Sequence, residues 1–380
     1  MKTLFKIIKT LLVLITGFVL VVVLYINLHP AFGDSPNAES RARIRESGHF
    51  DGKHFKNLVP TQAFTVRLDG KQKDNSELFK NFLFPPEGKN PDQPLPTEPL
   101  KAQALNNGEF VWLGHSTVLF RTNNTTILTD PVFHNAAPIP WAFRPFDMTN
   151  TPHIDDLPFI DVILISHDHY DHLDYRAIKA LVAKTGHFYV PLGVKAHLLR
   201  WGVPDSQVSE YDWYEDTMVN DIQLVFTPSR HFSGRGVTNR NQTLWGSWTV
   251  IAPDIKVYFS GDGGYSPEFA KIGQRFGGFD IAFIEDGAYN VRWQSVHMLP
   301  EQSAQAAIDL QAKVVLPIHW SKFDLSTHPW TEPVQRIKQA LTQHNDSVPR
   351  SQHIQLATPK IGQTFSLNTY PQTEWWTAMP

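Results

Sequence analysis

A hydrophobic strand that ends in a cluster of histidines and aspartates constrains this chain more than any other feature. The apolar run Val162–Ile165 predicts a buried strand, and four potential metal ligands follow it closely: His167, His169, Asp171 and His172. Residues two apart on an extended segment face the same side, so His167 and His169 can converge on one ion. Asp171 and His172 lie where the chain turns toward a helix and can face a second ion. Imidazole and carboxylate ligands suit zinc, whereas a solvated loop explains the cluster poorly, because polar groups at a buried strand's end are costly without a partner.

Composition limits the kinds of site that the chain can build. The absence of cysteine excludes a disulfide framework, a thiolate zinc site and a cysteine nucleophile, while 17 histidines are present. The formal net charge of -3 argues against a nucleic-acid-binding protein that relies on a broad basic field. With 42% hydrophobic residues among 380, the chain can bury a substantial core.

The first thirty residues predict a unit of their own. Lys2, Lys6 and Lys9 precede an apolar run over residues 11–28, whose helical length of about 27 Å is close to the hydrocarbon thickness of a bilayer. We expect an uncleaved single-pass membrane anchor over residues 1–30, with a removed signal peptide as the alternative. The flanking lysines place the N-terminus in the cytoplasm by the positive-inside rule, so the rest of the chain would be periplasmic in a Gram-negative bacterium.

The remaining chain divides into a connector and one large domain. Residues 31–108 are polar and proline-rich and predict a connector that packs on the domain at 109–380. Short β-branched and aromatic runs predict strands at 110–120, 125–129, 161–166, 187–190, 222–227, 244–251, 255–260, 279–285 and 313–318. Helical patterns lie at about 174–184, 194–201, 266–275, 300–311 and 332–343. This order fits an α/β fold in which two mixed sheets pack together with helices outside, an αβ/βα sandwich.

The His-x-His-x-Asp-His motif after a hydrophobic strand resembles the signature of the metallo-β-lactamase superfamily. That family has three later ligands, each at a strand end, and this chain offers candidates in the same order: His231, Asp262 and His319. The resemblance implies the four-layer αβ/βα sandwich and two zinc ions per chain. It assigns one zinc to His167, His169 and His231. It assigns the other zinc to Asp171, His172 and His319, with Asp262 bridging the two.

More narrowly, residues 109–345 resemble N-acyl-phosphatidylethanolamine-hydrolysing phospholipase D. The resemblance rests on ordered fragments that include Val111-Trp-Leu-Gly-His-Ser-Thr117, Leu244-Trp-Gly-Ser-Trp248, Gly287-Ala-Tyr289 and Ile318-His-Trp320. It implies a zinc-dependent phosphodiesterase that hydrolyses N-acyl-phosphatidylethanolamine or a similar phospholipid through a hydroxide activated by two metals. Asp171 and Asp262 would then be catalytic as well as metal-binding. The alternatives are a zinc hydrolase of a lactone or another small soluble ester or phosphate, and a non-catalytic scaffold.

Several further positions have two interpretations each. Asp130, before Pro131, resembles a strand-end aspartate that orients a metal ligand, or else begins a turn. His115 supports the ligands or belongs to a strand-loop junction. His297 matches a substrate-side histidine that binds phosphate or donates a proton, or else has a structural role at a helix start.

One segment of this chain departs from the phospholipase pattern, and another lies outside that pattern. Glu285 and Asp286 stand where that pattern has an apolar pair, and two carboxylates near the pocket would disfavour an anionic headgroup unless they face elsewhere or accept an amine. The aromatic segment 138–146 predicts either a membrane-facing lip or pocket wall, or a cover over the core, and we favour the cover. The sequence leaves the oligomeric state open, and iron or manganese would also suit the predicted ligands.

Overall fold

Strands form two seven-stranded sheets in the computed structural model, which describes residues 2–62, 80, 84–101 and 105–378. The strands, in chain order, are β1 (Glu109–Trp112), β2 (Val118–Thr122), β3 (Thr125–Thr129), β4 (Ile160–Leu164), β5 (Thr185–Pro191), β6 (Val208–Tyr211), β7 (Asp216–Val219), β8 (Ile222–Thr227), β9 (Ser247–Ile251), β10 (Lys256–Phe259), β11 (Phe279–Glu285), β12 (Ala312–Ile318), β13 (Gln355–Leu356) and β14 (Thr364–Ser366). One sheet has the order β14-β1-β2-β3-β4-β5-β6, and the other has the order β13-β12-β11-β10-β9-β8-β7.

Both sheets are mixed because hairpins and helical crossovers alternate along the chain. Strands β3 to β6 pair in parallel, as do β10 to β13, whereas the hairpin-connected strands pair antiparallel. Parallel strands need a crossover between them, and helices most often supply it. Ligands of such sheets bind outside the carboxyl ends of the strands, which is where the predicted metal motif lies.

Helices cover the outer faces of the two sheets. The helices are α1 (Lys2–Leu28), α2 (Ala38–Glu46), α3 (Tyr175–Leu181), α4 (Lys195–Arg200), α5 (Glu268–Phe276), α6 (Pro300–Asp309) and α7 (Glu332–Ser347). Helices α3 and α4 pack on the first sheet through Ile178 and Leu198, and α5 to α7 pack on the second through residues such as Ile272 and Ile337. The predicted αβ/βα arrangement of two mixed sheets is therefore confirmed.

Aromatic side chains fill the space between the sheets. Phe110 stacks on Phe120 and Phe365 within the first sheet, and both Phe110 and Phe120 meet Phe283 of the second sheet edge-on. All four rings are buried. Burial of such large side chains dominates core energetics, so this layer holds the sheets in the relative position that brings their strand ends together.

Helix α1 is apolar and exposed along nearly its whole length. Its 27 residues, with a mean hydropathy of 2.8 in the most apolar window, can cross a membrane by length and composition, although a signal sequence has the same properties. The chain after α1 is attached to the domain, because Arg200 donates a hydrogen bond to the carbonyl oxygen of Leu28 at 3.2 Å and Trp201 donates to that of Pro30 at 2.7 Å.

The structure differs from the predicted elements where contacts between residues distant in sequence determine the secondary structure. The run 110–120 forms two strands, since Gly114 and His115 have positive φ values of 85° and 53° and turn the chain. Within 31–108, α2 forms a helix and donates a hydrogen bond from Ser40 Oγ to Glu210 at 2.6 Å. Residues 63–79, 81–83 and 102–104 of the predicted connector lie outside the described part of the chain.

Candidate metal centre

Three histidine nitrogens converge at the carboxyl ends of β4 and β8. The Nδ1 atom of His169 lies 2.9 Å from Nε2 of His167 and 3.2 Å from Nε2 of His231. Nitrogens bound to one tetrahedral zinc at 2.0–2.1 Å lie about 3.3 Å apart. The spacing of these three atoms therefore fits a single ion in front of them.

A second donor group lies beside the first one. Oδ2 of Asp171 is 3.2 Å from Nε2 of His319 and 3.5 Å from Nε2 of His172. His115 joins this group, because its Nε2 lies 3.0 Å from the same oxygen of Asp171. The ring of His115 is buried and its centroid is 4.0 Å from that of His319. His115 is thus part of the site rather than a remote strand-loop histidine.

Asp262 lies between the two donor groups. Its Oδ2 is 3.1 Å from Nε2 of both His172 and His319, and 3.9 Å and 3.8 Å from Nε2 of His167 and His231. A carboxylate has two oxygens and can span two ions, so this position suits a bridge.

Gly261 explains how Asp262 reaches this position. Its φ of +55° is one that L side chains rarely adopt, and a Cβ there would lie 2.5 Å from Cβ of Ser166 and 2.7 Å from the carbonyl oxygen of Gly246. Only glycine fits, because both conformation and space exclude a side chain. The Gly-Asp pair at the end of β10 is therefore a geometric requirement.

Hydrogen bonds behind the histidines fix which ring nitrogen faces the centre. Asp130 accepts a bond from Nδ1 of His172 at 2.6 Å, and Ser166 Oγ lies 2.9 Å from Nδ1 of His167. Nδ1 of His231 donates to the carbonyl oxygen of Val296 at 2.8 Å. Such partners hold the tautomer and orientation of metal-binding histidines. Asp130 is thus placed to orient a ligand, and it does not merely begin a turn.

The electrostatics of the cluster favour a cation. Burial raises the pKa of Asp171 and Asp262, but nearby histidines, His172 foremost, outweigh burial and hold both carboxyl pKa values well below their usual range. Burial lowers the pKa of His172, yet the charges of Asp262 and Asp171 outweigh it and raise the pKa well above its ordinary value. Both carboxylates therefore stay ionised, and the positive charge that the histidines carry beside them is charge that a bound cation can supply instead.

Unpaired polar atoms at the centre support the same conclusion. Among the described residues, Nε2 of His172 and Oδ1 of Asp262 are buried without a hydrogen-bond partner. An unsatisfied buried polar atom is costly. Imidazole nitrogen and carboxylate oxygen are both ligands of divalent cations, and a bound cation would satisfy these atoms. The donor set therefore fits metal ions.

Sequence comparison gives this centre its family. Residues 125–320 match the Beta-lactamase superfamily domain. The chain belongs to the metallo-β-lactamase superfamily. It is 35% identical over 361 residues to an uncharacterized protein of Mycobacterium tuberculosis, a match that covers 91% of this chain and 92% of that protein.

The chain is also similar to a second relative in sequence and to a solved structure in fold. The N-acyl-phosphatidylethanolamine-hydrolyzing phospholipase D 1 of Caenorhabditis elegans is 32% identical over 324 residues, covering 78% of this chain and 88% of that protein. The crystal structure of CmlA, a diiron β-hydroxylase from Streptomyces venezuelae, superposes with a TM-score of 0.50 at 19% identity, covering 69% of this chain and 54% of that one. The second likeness shows the fold alone. Together with the donor set, the family makes this chain a metal-dependent hydrolase.

An apolar cavity of about 280 Å³ lies directly over the metallo-β-lactamase donor set. Its floor includes His169, Asp171, Asp262 and His319. Its walls are mainly hydrophobic: Phe232, Ala288, Trp293, Val296 and Leu325. A substrate in this cavity would therefore place a polar group on the floor and apolar groups against the walls.

His297 forms one wall of the cavity and is paired with Glu285. Nδ1 of His297 is hydrogen-bonded to Oε1 of Glu285, whose other oxygen accepts a bond from the main-chain N of Gly263 at 2.7 Å. The His297 ring lies 5.1 Å from that of His231 and 5.4 Å from that of His319, between centroids. Glu285 is fully buried, so it acts on the site through His297 and does not face a headgroup.

Two other acidic residues near the motif point away from the centre. Asp168 accepts hydrogen bonds from Gly234 N at 2.7 Å and Thr243 Oγ1 at 2.9 Å, so its carboxylate is engaged away from the metal ligands. Asp286 is buried outside the cavity lining, and burial raises its pKa well above the ordinary value. Neither Glu285 nor Asp286 lines the cavity, so these carboxylates would not repel an anionic substrate there by direct contact.

The structure brings together all seven residues predicted as ligands and adds contacts that the sequence did not indicate. Asn57, far away in the connector segment, brackets the main chain of His231: its Oδ1 accepts from His231 N at 3.0 Å and its Nδ2 donates to His231 O at 2.7 Å. Neither this contact nor the Glu285–His297 pair has a spacing signal in the sequence. The only hint was that Glu285 departs from the family pattern.

Proposed function

We propose that this chain is a zinc-dependent phosphodiesterase of phospholipase D type that acts on N-acyl-phosphatidylethanolamine or a similar lipid. The observation that carries the proposal is the apolar cavity whose floor is the His/Asp donor set. The similarity to the nematode phospholipase, at 32% identity over 78% of this chain, supports the same substrate class.

The proposed metal ligands follow from the two donor groups. His167, His169 and His231 would hold one zinc, and Asp171, His172 and His319 would hold the other, with Asp262 between them. Two divalent ions supply a hydroxide near neutral pH and neutralise a phosphate diester. Histidine and carboxylate ligands also suit iron or manganese, so metal analysis of the purified protein determines which ions bind.

His297 is the residue that we assign to the leaving group. Because Nδ1 is bound to Glu285, Nε2 is the ring nitrogen available to a substrate in the cavity. A proton held there can pass to the oxygen of the departing N-acylethanolamine as the phosphorus–oxygen bond breaks. Water supplies the new oxygen on phosphorus, so the products are phosphatidic acid and the N-acylated alcohol.

The cavity walls favour a lipid over a small polar metabolite. Phe232, Trp293, Val296 and Leu325 offer aliphatic and aromatic surface to an acyl chain. A soluble lactone or phosphate would leave this surface in contact with water, which the hydrophobic effect disfavours. The lactonase alternative therefore has less support than the phosphodiesterase.

We also propose that α1 is a membrane anchor. Lys2, Lys6 and Lys9 at its start would stay in the cytoplasm, and the hydrolase domain would act on the opposite side, in the periplasm of a Gram-negative cell. This location keeps the cavity close to its lipid substrate.

The proposal is tested with the full-length chain, reconstituted with zinc in mixed micelles. N-acyl-phosphatidylethanolamine should release phosphatidic acid, whereas phosphatidylcholine and an acyl-homoserine lactone should be hydrolysed slowly or not at all. Asp262→Asn serves as the inactive control. Wild-type protein that carries its metal but releases no phosphatidic acid would remove this substrate class, and preferred turnover of the lactone would favour the alternative.

A further inference from the structure

An exposed aromatic loop lies next to the end of α1. Within residues 136–143, which we call the docking loop, Trp141 is 75% exposed, Phe143 is 51% exposed and Ile139 is 37% exposed. The interpretation that this segment covers the core is therefore wrong for its central residues. Large side chains grouped on a surface in this way mark an interaction site.

The docking loop has an ordered backbone in spite of its exposure. Ala136 N donates to the carbonyl oxygen of Phe143 at 3.0 Å and closes the base of the loop. Inside it, Ala142 N donates to Ile139 O at 3.1 Å, and Asn135 Nδ2 donates to Pro140 O at 2.6 Å. The backbone therefore holds the apolar side chains outward, and they do not collapse onto the domain.

The loop is hydrogen-bonded to the apolar helix. Tyr25, one turn before the end of α1, donates its hydroxyl hydrogen to the carbonyl oxygen of Pro138 at 2.7 Å. Four residues after α1, Phe32 packs edge-on against Tyr170, which stands between His169 and Asp171 of the metal motif, with centroids 6.3 Å apart. The end of α1, the docking loop and the metal motif thus belong to one face of the molecule.

The base of the loop also contacts the wall of the metal cavity. Ala136 packs with Phe323, and Leu325 packs against the same small cluster. Leu325 lines the cavity over the metal centre. The loop therefore connects the end of α1 with the entrance that a substrate would use.

We propose that the docking loop inserts Ile139, Trp141 and Phe143 into the lipid bilayer that α1 spans, and so holds the mouth of the metal cavity at the membrane surface. The proposal rests on the anchor assigned above. Tryptophan prefers the membrane–water interface because one end of its ring system is apolar and the other is a hydrogen-bond donor. Arg144 follows the loop, is exposed and has no ion pair among the described residues, so it can meet lipid phosphate.

The absence of cysteine makes a direct test straightforward. Full-length Trp141→Cys carries a single thiol, which is labelled with an environment-sensitive fluorophore and reconstituted into phosphatidylethanolamine–phosphatidylglycerol vesicles that contain spin-labelled lipid. Ile139→Cys provides a second position in the loop. Met218→Cys is the control, since Met218 is 61% exposed on β7. Met218 lies near Asn220, which contacts the turn between β2 and β3. That turn and Asp130 are at opposite ends of β3, so position 218 lies away from the metal centre.

The labels in the loop should shift to the blue and be quenched several-fold more by the spin-labelled lipid than the label at position 218. Equal quenching at all three positions would overturn the proposal. Disulfide-linked dimers of Trp141→Cys without lipid quenching would also overturn it, because they would assign the loop to a second copy of the chain. Quenching does not require turnover, so strong quenching in a protein inactive on N-acyl-phosphatidylethanolamine would retain the docking loop and reject only the proposed substrate.

Discussion

Glu285 and His297 form a hydrogen-bonded pair at the edge of the metal centre, in which the buried carboxylate accepts a hydrogen bond from Nδ1 of the partly exposed imidazole. The second oxygen of Glu285 is held by the main chain next to Asp262, through Gly263. Burial raises the pKa of Glu285, although the charge of His297 opposes that rise. The pair therefore couples the orientation of a cavity side chain to Asp262, which we propose as the bridging ligand.

Replacing Glu285 by glutamine should lower kcat more than it changes KM. Glutamine keeps the size of the side chain but no longer fixes the tautomer of His297, and loss of such a partner typically costs about 10–100-fold. Steady-state kinetics on the phosphodiester substrate, with metal content measured in parallel, check this. The matched control is Glu301→Gln, whose carboxylate pairs with Arg336 on the surface of the domain. A wild-type kcat in Glu285→Gln would show that the pair is structural only.

Asp130→Asn should weaken metal binding without unfolding the domain. The change removes the acceptor that holds Nδ1 of His172, and outer partners of this kind contribute about 10–100-fold to metal affinity. Competition with a chelator measures the effect. Asp254→Asn, at a carboxylate that accepts from Thr122 far from the centre, should behave like wild type. Equal affinities for the Asp130 and Asp254 variants would contradict the assigned role.

Asn57→Ala should destabilise the domain and loosen the site at His231. Its side chain makes two hydrogen bonds to the main chain of His231, and each is worth about 0.5–1.5 kcal/mol. We expect a loss of about 1–2 kcal/mol in the free energy of unfolding, together with weaker retention of one metal. Unchanged stability and metal content would show that the connector contributes nothing to the centre.

Lys322 should make stability rise with pH. Burial lowers its pKa from 10.5 to about 7, and its ammonium donates to the carbonyl oxygens of Leu113 and Val132. Between these two pKa values the unfolded chain binds more protons than the folded one, so the free energy of unfolding increases with pH, by at most about 1.4 kcal/mol per unit. Denaturation at pH 7 to 9 should show this slope in wild type and a smaller one in Lys322→Met. Equal slopes of the free energy of unfolding against pH in wild type and in Lys322→Met would contradict the lowered pKa of Lys322.

The sequence predicts those parts of the centre that depend on short-range patterns. His167 to His172 follow one apolar strand, and their spacing alone places them at its end. The later positions His231, Asp262 and His319 come instead from the family resemblance, which predicts their order, and each follows an apolar run that forms a strand or its end.

Other features depend on packing between distant segments and leave no local pattern. Strand β14 has three residues and exists because it pairs with β1 at the edge of the sheet. Glu285 reaches His297 only because β11 and the loop before α6 converge, and the exposure of Trp141 depends on the fold of the loop around it. An aromatic segment can lie in the core or on the surface, and only its backbone conformation shows which.

Metal analysis of the purified full-length protein tests the central claim most directly. Wild type should contain two divalent ions per chain, lose its hydrolase activity with a chelator and regain it with zinc. His169→Ala should remain folded but retain fewer ions and little activity. A protein that is fully active without metal, or whose ions bind away from these side chains in an anomalous diffraction map, would contradict the account.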